Sequence, residues 1–240
     1  MRALLHGVLV LALAACSQTG SSTDTAATDT TATTATSAAS TESASTDTAA
    51  PMTSATPAGQ EKPMSAYTNK IAEVYTTAGQ INLRFFPDVA PNHVKNFIDL
   101  AEKGFYNNTK FHRAMPGFMI QGGDPNTIAG DPSTWGTGGS PNRVNAEFNS
   151  IPHKRGILSM ARSSSPNSAS SQFFIVTSDS TFLDNNYTVF GEVTEGMDVA
   201  DKIVNAPQSA PERPKDPVSI TKIVVRDAKT DAEKAPTPAH

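Results

Sequence analysis

The chain has 240 residues, but its first quarter is too poor in large apolar side chains to build a core, which leaves material for one globular domain. A formal net charge of −4 with no dense Lys/Arg block lacks the basic footprint that neutralises phosphates, so nucleic acid is not an expected partner. Cys16 is the only cysteine, which excludes intrachain disulfides, thiolate zinc sites and redox pairs, and the histidines (His6, His93, His112, His153, His240) include no pair at metal-ligand spacing; neither a metal nor a cofactor is expected.

The N-terminus reads as an address. Arg2 supplies a short positive start, residues 3–14 are largely apolar, and small residues precede Cys16. The apolar run is too short to span a membrane comfortably as a mature helix. Leu13-Ala14-Ala15-Cys16 resembles the bacterial lipobox, and that resemblance implies a lipoprotein signal peptide over residues 1–15, cleavage before Cys16 and acylation of that cysteine. Two or more acyl chains suffice for stable anchoring, so the expected location is extracytoplasmic, lipid-anchored at the periplasmic face or cell surface. Ser17 after the cysteine implies the outer membrane if the cell is Gram-negative. The alternatives are an ordinary secretory signal in which Cys16 is incidental, and a small apolar start with no processing at all.

Residues 16–66 continue as Thr, Ser, Ala, Asp and Pro with almost nothing large and apolar. Such a segment cannot offset the entropy of ordering, and it reads as a disordered tether with a reach of about 40 Å. The tail over 227–240 is similarly polar and is expected to fray.

Between these lies the folded domain, 67–226. Short β-rich runs broken by turn signals fall at 71–76, 80–86, 110–115, 156–161, 172–177, 188–193 and 218–225. Val94, Phe97, Ile98 and Ala101 recur at helical spacing between Pro91 and Gly104, and Met197, Ala200 and Val204 do so after Gly196. Residues 125–135 are rich in Gly, Pro and Ser and read as a loop. Periodicity alone predicts a mainly β, antiparallel sandwich or barrel with two helices.

Two runs carry the chemistry. Phe111-His112-Arg113-Ala114-Met115-Pro116-Gly117-Phe118-Met119-Ile120-Gln121-Gly122-Gly123-Asp124 sets one guanidinium among large apolar side chains, and Ser171-Gln172-Phe173-Phe174-Ile175 follows at a distance that only folding closes. With Gly104-Phe105-Tyr106, Gly136-Thr137-Gly138-Gly139, Gly156-Ile157-Leu158-Ser159-Met160-Ala161, Phe182-Leu183-Asp184 and Val189-Phe190-Gly191, they resemble the cyclophilin family of peptidyl-prolyl isomerases. The resemblance covers residues 69–226. It implies a closed eight-stranded antiparallel barrel capped by two α-helices, peptidyl-prolyl cis-trans isomerase activity without a cofactor, and proline-containing, exposed or unfolded polypeptides as partners.

The same resemblance assigns roles by position. Arg113 falls on the family's catalytic arginine, Gln121 on a side chain that positions it or the substrate, and Phe118, Met119, Phe174 and Leu183 on the walls of the proline pocket, with Phe118 counted among the catalytic set. Phe182 and Tyr187 match the rim; Gly136, Ala161, Arg162 and Gln172 match the groove that carries the substrate backbone. Phe174 is expected outward and its neighbour Phe173 inward, because adjacent strand residues face opposite sides. His112 is expected to point away from Arg113 for the same reason. Phe182 stands where eukaryotic members carry a tryptophan whose indole donates to cyclosporin, so binding of that drug is expected to be weak. Tyr187 replaces a pocket histidine and Arg162 an asparagine. The bland alternatives are a surface ion pair for Arg113 and core packing for the aromatics.

The reaction itself asks little of a protein. Rotation about a peptide bond meets a barrier of about 18 to 20 kcal/mol because the nitrogen lone pair is delocalised into the carbonyl. Cis and trans X-Pro differ by only about 0.5 to 1 kcal/mol, so no energy source or nucleophile is required. In the twisted amide the lone pair returns to nitrogen, and a placed donor then binds that geometry selectively. Guanidinium suits the task because it stays charged and presents several donors in a fixed fork. A non-catalytic module that docks proline segments, and a structural scaffold, are the competing readings.

Overall fold

β-branched and aromatic runs separated by turn residues fold as strands of one sheet, and the longer connections carry the helices. A computed structural model describes residues 62–230 and 233–234. The signal segment 1–15, the lipidation candidate Cys16, nearly all of the tether and most of the tail lie outside the described residues. Among the described residues no helix is long and apolar enough to cross a membrane.

In chain order the elements are β1 (Lys70–Thr76), β2 (Gly79–Phe85), α1 (Pro91–Glu102), β3 (Arg113–Met115), β4 (Met119–Gly122), α2 (Asn126–Ala129), β5 (Ile157–Met160), β6 (Phe173–Val176), β7 (Val189–Glu195), α3 (Met197–Val204), β8 (Gln208–Ala210), β9 (Arg213–Pro214) and β10 (Ile220–Asp227). Eight strands form one antiparallel sheet in the order β10-β1-β2-β7-β5-β6-β4-β3, and β8 pairs with β9 alone. Each predicted strand segment contains a ladder strand. The additional one, β4, follows Pro116-Gly117, where Gly117 at φ 77° allows the tight reversal from β3.

The sheet curls into a barrel shape without the complete ladder of a closed barrel. Its edges are β10 and β3, and only the segments leading into them meet: Asn108 N–H donates to Ile220 O at 2.7 Å, Ile220 N–H to Thr109 O at 2.7 Å and Phe111 N–H to Val218 O at 3.0 Å. Beyond that point the β8–β9 hairpin occupies the free edge of β3. Ala114 N–H donates to Glu212 O at 2.8 Å, and Gln208 Nε2 donates to Ala114 O at 2.8 Å, so β10 cannot continue the pairing.

Alternation along β3, β4 and β6 sends Ala114, Ile120, Phe173 and Ile175 into a core that also receives Val94, Phe97, Ile98 and Ala101 from α1 and Val199, Ala200, Ile203 and Val204 from α3. Phe97 is its hub, with ring centroids 5.0 Å from Tyr106, 5.3 Å from Phe173, 5.5 Å from Phe85 and 5.7 Å from Phe190. Truncation of such a residue to Ala costs about 3 to 5 kcal/mol. A second apolar cluster includes Phe86, Met119, Phe174, Val176, Leu183 and Val189.

Helix α1 begins with Pro91 and has no side-chain cap of its own. Glu147 supplies one from a loop, its carboxylate accepting the N–H groups of Asn92 and His93 at 3.0 Å each while facing His93 Nδ1 at 2.6 Å. The segment 125–135 is more ordered than a plain loop: it holds α2 and a 3-10 turn, Pro132–Thr134, capped by Asp131 Oδ1 accepting Ser133 N–H at 2.7 Å. At the C-terminal side β10 reaches Asp227, Ala228 is buried, and its N–H donates to Asn69 O at 2.7 Å, so packing continues past the expected boundary at 226.

Candidate active site

The pairing of three strands builds the site. Arg113 on β3 lies opposite Gln121 on β4, which lies opposite Phe174 on β6, so the three form one row across the sheet. Side chains repeat every two residues, and Met119 on β4 therefore shares their face. Residues of opposite parity, Ala114, Ile120 and Phe173, lie in the core. Phe173 is fully buried there, whereas Phe174 packs with Met119 and Leu183 in the second cluster.

A cleft of about 520 Å³ opens over this row. Of the predicted residues, Arg113, Phe118, Met119, Gln121, Gly136, Ala161, Arg162, Phe174, Phe182, Leu183 and Tyr187 line it. Met119, Phe174 and Leu183 are buried and form its apolar wall. Phe182 is 70% exposed at the rim, 5.3 Å from the Phe118 ring. Tyr187 stands edge-on to Phe174 at 5.8 Å, with the Arg162 guanidinium 4.7 Å over its ring. Arg162 is held by main-chain oxygens, its Nε donating to Asn186 O at 3.0 Å and its Nη1 to Ser163 O at 2.9 Å.

Gln172 does not line this cleft but a neighbouring cavity of about 150 Å³. Its Oε1 accepts from Gln121 Nε2 at 2.8 Å, and its Nε2 donates to Gly136 O at 2.9 Å and Gly138 O at 2.7 Å. It braces the site rather than facing the cleft. Gly136 is held at φ 89°, and its N–H donates to the buried carboxylate of Asp124.

His112 precedes the β3 ladder and is among the residues lining the cleft, while its side chain is buried. Both ring nitrogens are buried without a hydrogen-bond partner. Burial pulls its pKa below the ordinary histidine value, against the pull of the nearby Asp124 charge.

Several site residues carried no signal in the sequence. Trp135, Pro211, Glu212 and Arg213 also line the cleft. Glu212 Oε2 accepts from Arg113 Nε at 2.6 Å, and Arg113 Nη1 reaches Gln121 Oε1 at 3.4 Å. The Arg113 side chain is 36% exposed, neither sealed in the core nor free on the surface. Behind Phe174, His153 Nδ1 meets Asp184 Oδ1 at 2.9 Å and Nε2 meets Ser159 Oγ at 3.0 Å. Ser159 and His153 are fully buried and the ring stacks 6.2 Å from Phe174, so this trio fixes the wall and offers no accessible nucleophile. Burial lowers the His153 pKa, with Asp184 opposing it.

What the arrangement can do is bind an apolar ring against Met119, Phe174 and Leu183 while a guanidinium donates from above. A family model for cyclophilin type peptidyl-prolyl cis-trans isomerase/CLD matches residues 71–225. A peptidyl-prolyl cis-trans isomerase of Acinetobacter baylyi is 40% identical over 174 residues, covering 69% of this chain and 90% of that protein. A probable peptidyl-prolyl cis-trans isomerase of Brucella abortus is 44% identical over 153 residues, covering 61% of this chain and 78% of that protein. The crystal structure of a Cryptosporidium parvum cyclophilin type peptidyl-prolyl cis-trans isomerase, determined in the presence of the dipeptide Ala-Pro, is similar with a TM-score of 0.60 and 33% identity, covering 65% of this chain and 99% of that one. With its strand order, its cleft and these relatives in view, the chain belongs to the cyclophilin-type peptidyl-prolyl cis-trans isomerase family.

Proposed function

We propose that the domain catalyses cis-trans rotation about X-Pro bonds by holding the twisted amide more firmly than either planar form. The observation that carries this is the row Arg113, Gln121, Phe174, which sets a guanidinium over an apolar wall. The proline ring sits on Met119, Phe174 and Leu183, with Phe118 and Phe182 closing the side. Arg113 donates toward the prolyl nitrogen as its lone pair localises. The dipeptide Ala-Pro, in whose presence the Cryptosporidium parvum relative's structure was determined, contains one X-Pro bond.

Magnitudes require both parts of the site. A charge-assisted hydrogen bond contributes about 1.5 to 3 kcal/mol, whereas a millionfold acceleration needs about 8 kcal/mol. The planar amide is the more charge-separated form, so removing water raises it relative to the twisted state. The apolar wall therefore acts in catalysis as well as in selection.

Substrates on this reading are exposed or unfolded proline-containing segments. The lipobox-like Leu13-Ala14-Ala15-Cys16 and the polar tether that follows support a lipidated, membrane-anchored isomerase that assists the folding of exported proteins. Mass spectrometry of the mature N-terminus tests the anchor: an unmodified Cys16 rejects it.

The central test is the isomerisation rate of a short Ala-Pro peptide, measured by NMR exchange with purified protein. Wild type accelerates exchange, and Arg113→Ala loses about a hundredfold in kcat/KM, corresponding to about 3 kcal/mol. Peptide binding without acceleration would make the domain a docking module, and an Arg113→Ala variant as fast as wild type would reject the mechanism.

A further inference from the structure

We propose that Glu212 is a positioning residue that orients Arg113 for turnover. The inference rests on the isomerase reading above and adds a residue 99 positions away in the chain, on a hairpin outside the main sheet.

Three observations converge on it. The Glu212 carboxylate accepts from Arg113 Nε at 2.6 Å, a charge-assisted bond to the side edge of the guanidinium. That choice of nitrogen matters: it occupies the side edge, while Nη1 leans on Gln121 at 3.4 Å. Nη2 and the second proton of Nη1 are thereby left to the substrate.

The hairpin is also tied to the strand that carries Arg113. Glu212 O accepts from Ala114 N–H at 2.8 Å. Gln208 Nε2 donates to Ala114 O at 2.8 Å, and Gln208 Oε1 accepts Glu212 N–H at 3.2 Å. Both main-chain groups of the residue next to Arg113 are thus committed to this hairpin, so the carboxylate and the guanidinium are set from one short stretch of backbone.

Finally, Glu212 sits at φ 65°, in the left-handed region that a glycine occupies at lower cost. A side chain stands where the backbone favours none, and Pro211 and Pro214 on either side restrict the turn further. Arg162 and Arg213 line the same cleft, and Glu212 is the only carboxylate that lines it among the described residues. Its partner is the arginine at the end of the row.

Substitution by glycine separates catalysis from folding. Glu212→Gly removes the carboxylate and suits the left-handed backbone, so its melting temperature stays at or above wild type. Its kcat for an Ala-Pro peptide falls about tenfold with KM changed less than about twofold, because the lost interaction places a donor rather than binding the substrate. Glu212→Gln, which retains an acceptor oxygen, recovers most of the rate. In ¹⁵N spectra of the full-length protein the Arg113 Nε–H signal is slowed in exchange in wild type and Glu212→Gln, and broadened by solvent exchange in Glu212→Gly.

An unchanged or increased kcat in Glu212→Gly, or a loss that appears only in KM, overturns the inference. If Arg113→Ala turns over as fast as wild type, the isomerase mechanism fails instead, whatever Glu212 does. If Arg113→Ala is slow and Glu212→Gly is wild-type-like, only the positioning role is rejected.

Discussion

Gln121 donates through Nε2 to Gln172 Oε1 at 2.8 Å, and this one bond settles which end of each amide faces the arginine. Gln172 spends both amide protons on Gly136 O and Gly138 O, so only its oxygen remains to meet Gln121. Gln121 must then offer its NH₂ group to Gln172 and its oxygen to Arg113. A turn at residues 136–138 is thereby connected through two glutamines to the guanidinium, although Gln172 does not line the main cleft.

Gln172→Leu tests that connection. The substitution leaves the Gln121 amide free to flip and presents a nitrogen to the guanidinium in place of an oxygen. The expected result is a fall in kcat/KM of about tenfold with a stability loss of about 2 to 3 kcal/mol, since Gln121 Nε2, Gly136 O and Gly138 O each lose a partner. Urea denaturation alongside the exchange assay separates the two effects.

The seven runs predicted as strands were legible because β-branched and aromatic residues gather in them between turn signals. β4 was not, because Phe118-Met119-Ile120 is an apolar run of only three residues directly after the run that ends at Met115, shorter than a strand signal requires, although Pro116-Gly117 before it is a turn signal. Resemblance located Arg113, Gln121 and Phe174 as site residues, but their alignment in one row follows from β3–β4 and β4–β6 pairings that no local pattern contains. Glu212 was silent for a further reason. Ala210-Pro211-Glu212-Arg213-Pro214 reads as an ordinary polar turn, and its contact with Arg113 arises only when the sheet has curled and left an edge for the hairpin to cover.

His112 predicts acid sensitivity. Burial lowers its pKa, as it does for His153, so both rings stay neutral in the folded protein at a pH where the unfolded chain has taken up protons. Stability is therefore unaffected well above the ordinary histidine value of about 6.5 and declines as pH falls below it, by up to about 1.4 kcal/mol per pH unit for each ring. Glu147 acts lower on the scale: although burial opposes it, bonds from His93 and the start of α1 lower its pKa, and its contribution is lost only as pH falls through that depressed value. Urea midpoints from pH 8 to pH 5 should fall, and His112→Leu should flatten the upper part of that decline. An equally steep decline in the variant would remove His112 from the account.

Gly123 predicts a steric limit beside the site. It follows β4 at φ 85°, and a Cβ there would lie 2.5 Å from the main-chain oxygen of Ser171. Neither backbone can yield freely, because Ser171 Oγ already donates to Gly123 O at 2.8 Å. Gly123→Ala should destabilise the domain by about 3 kcal/mol or more, from left-handed strain and overpacking together. Thermal denaturation measures it, and a shift under about 2 °C would mean that the β4–β6 junction is softer than its contacts indicate.

Phe182 predicts a gain of drug binding. Its ring is 70% exposed and touches Phe118, so a larger ring is accommodated at the rim without disturbing the wall. The one nearby indole cannot take its place, because Trp135 Nε1 already donates to Gly130 O at 3.1 Å. Phe182→Trp adds a free N–H where the phenyl ring has none, and one neutral hydrogen bond contributes about 0.5 to 1.5 kcal/mol. Calorimetric titration with cyclosporin should show affinity rising about three- to tenfold, while kcat/KM for a short Ala-Pro peptide stays within about twofold because tryptophan keeps an aromatic ring closing the side of the pocket. Equal affinity in the two proteins would mean that the missing indole does not limit binding, and would turn attention to Arg162 and Tyr187, whose stacked pair forms another part of the cleft lining.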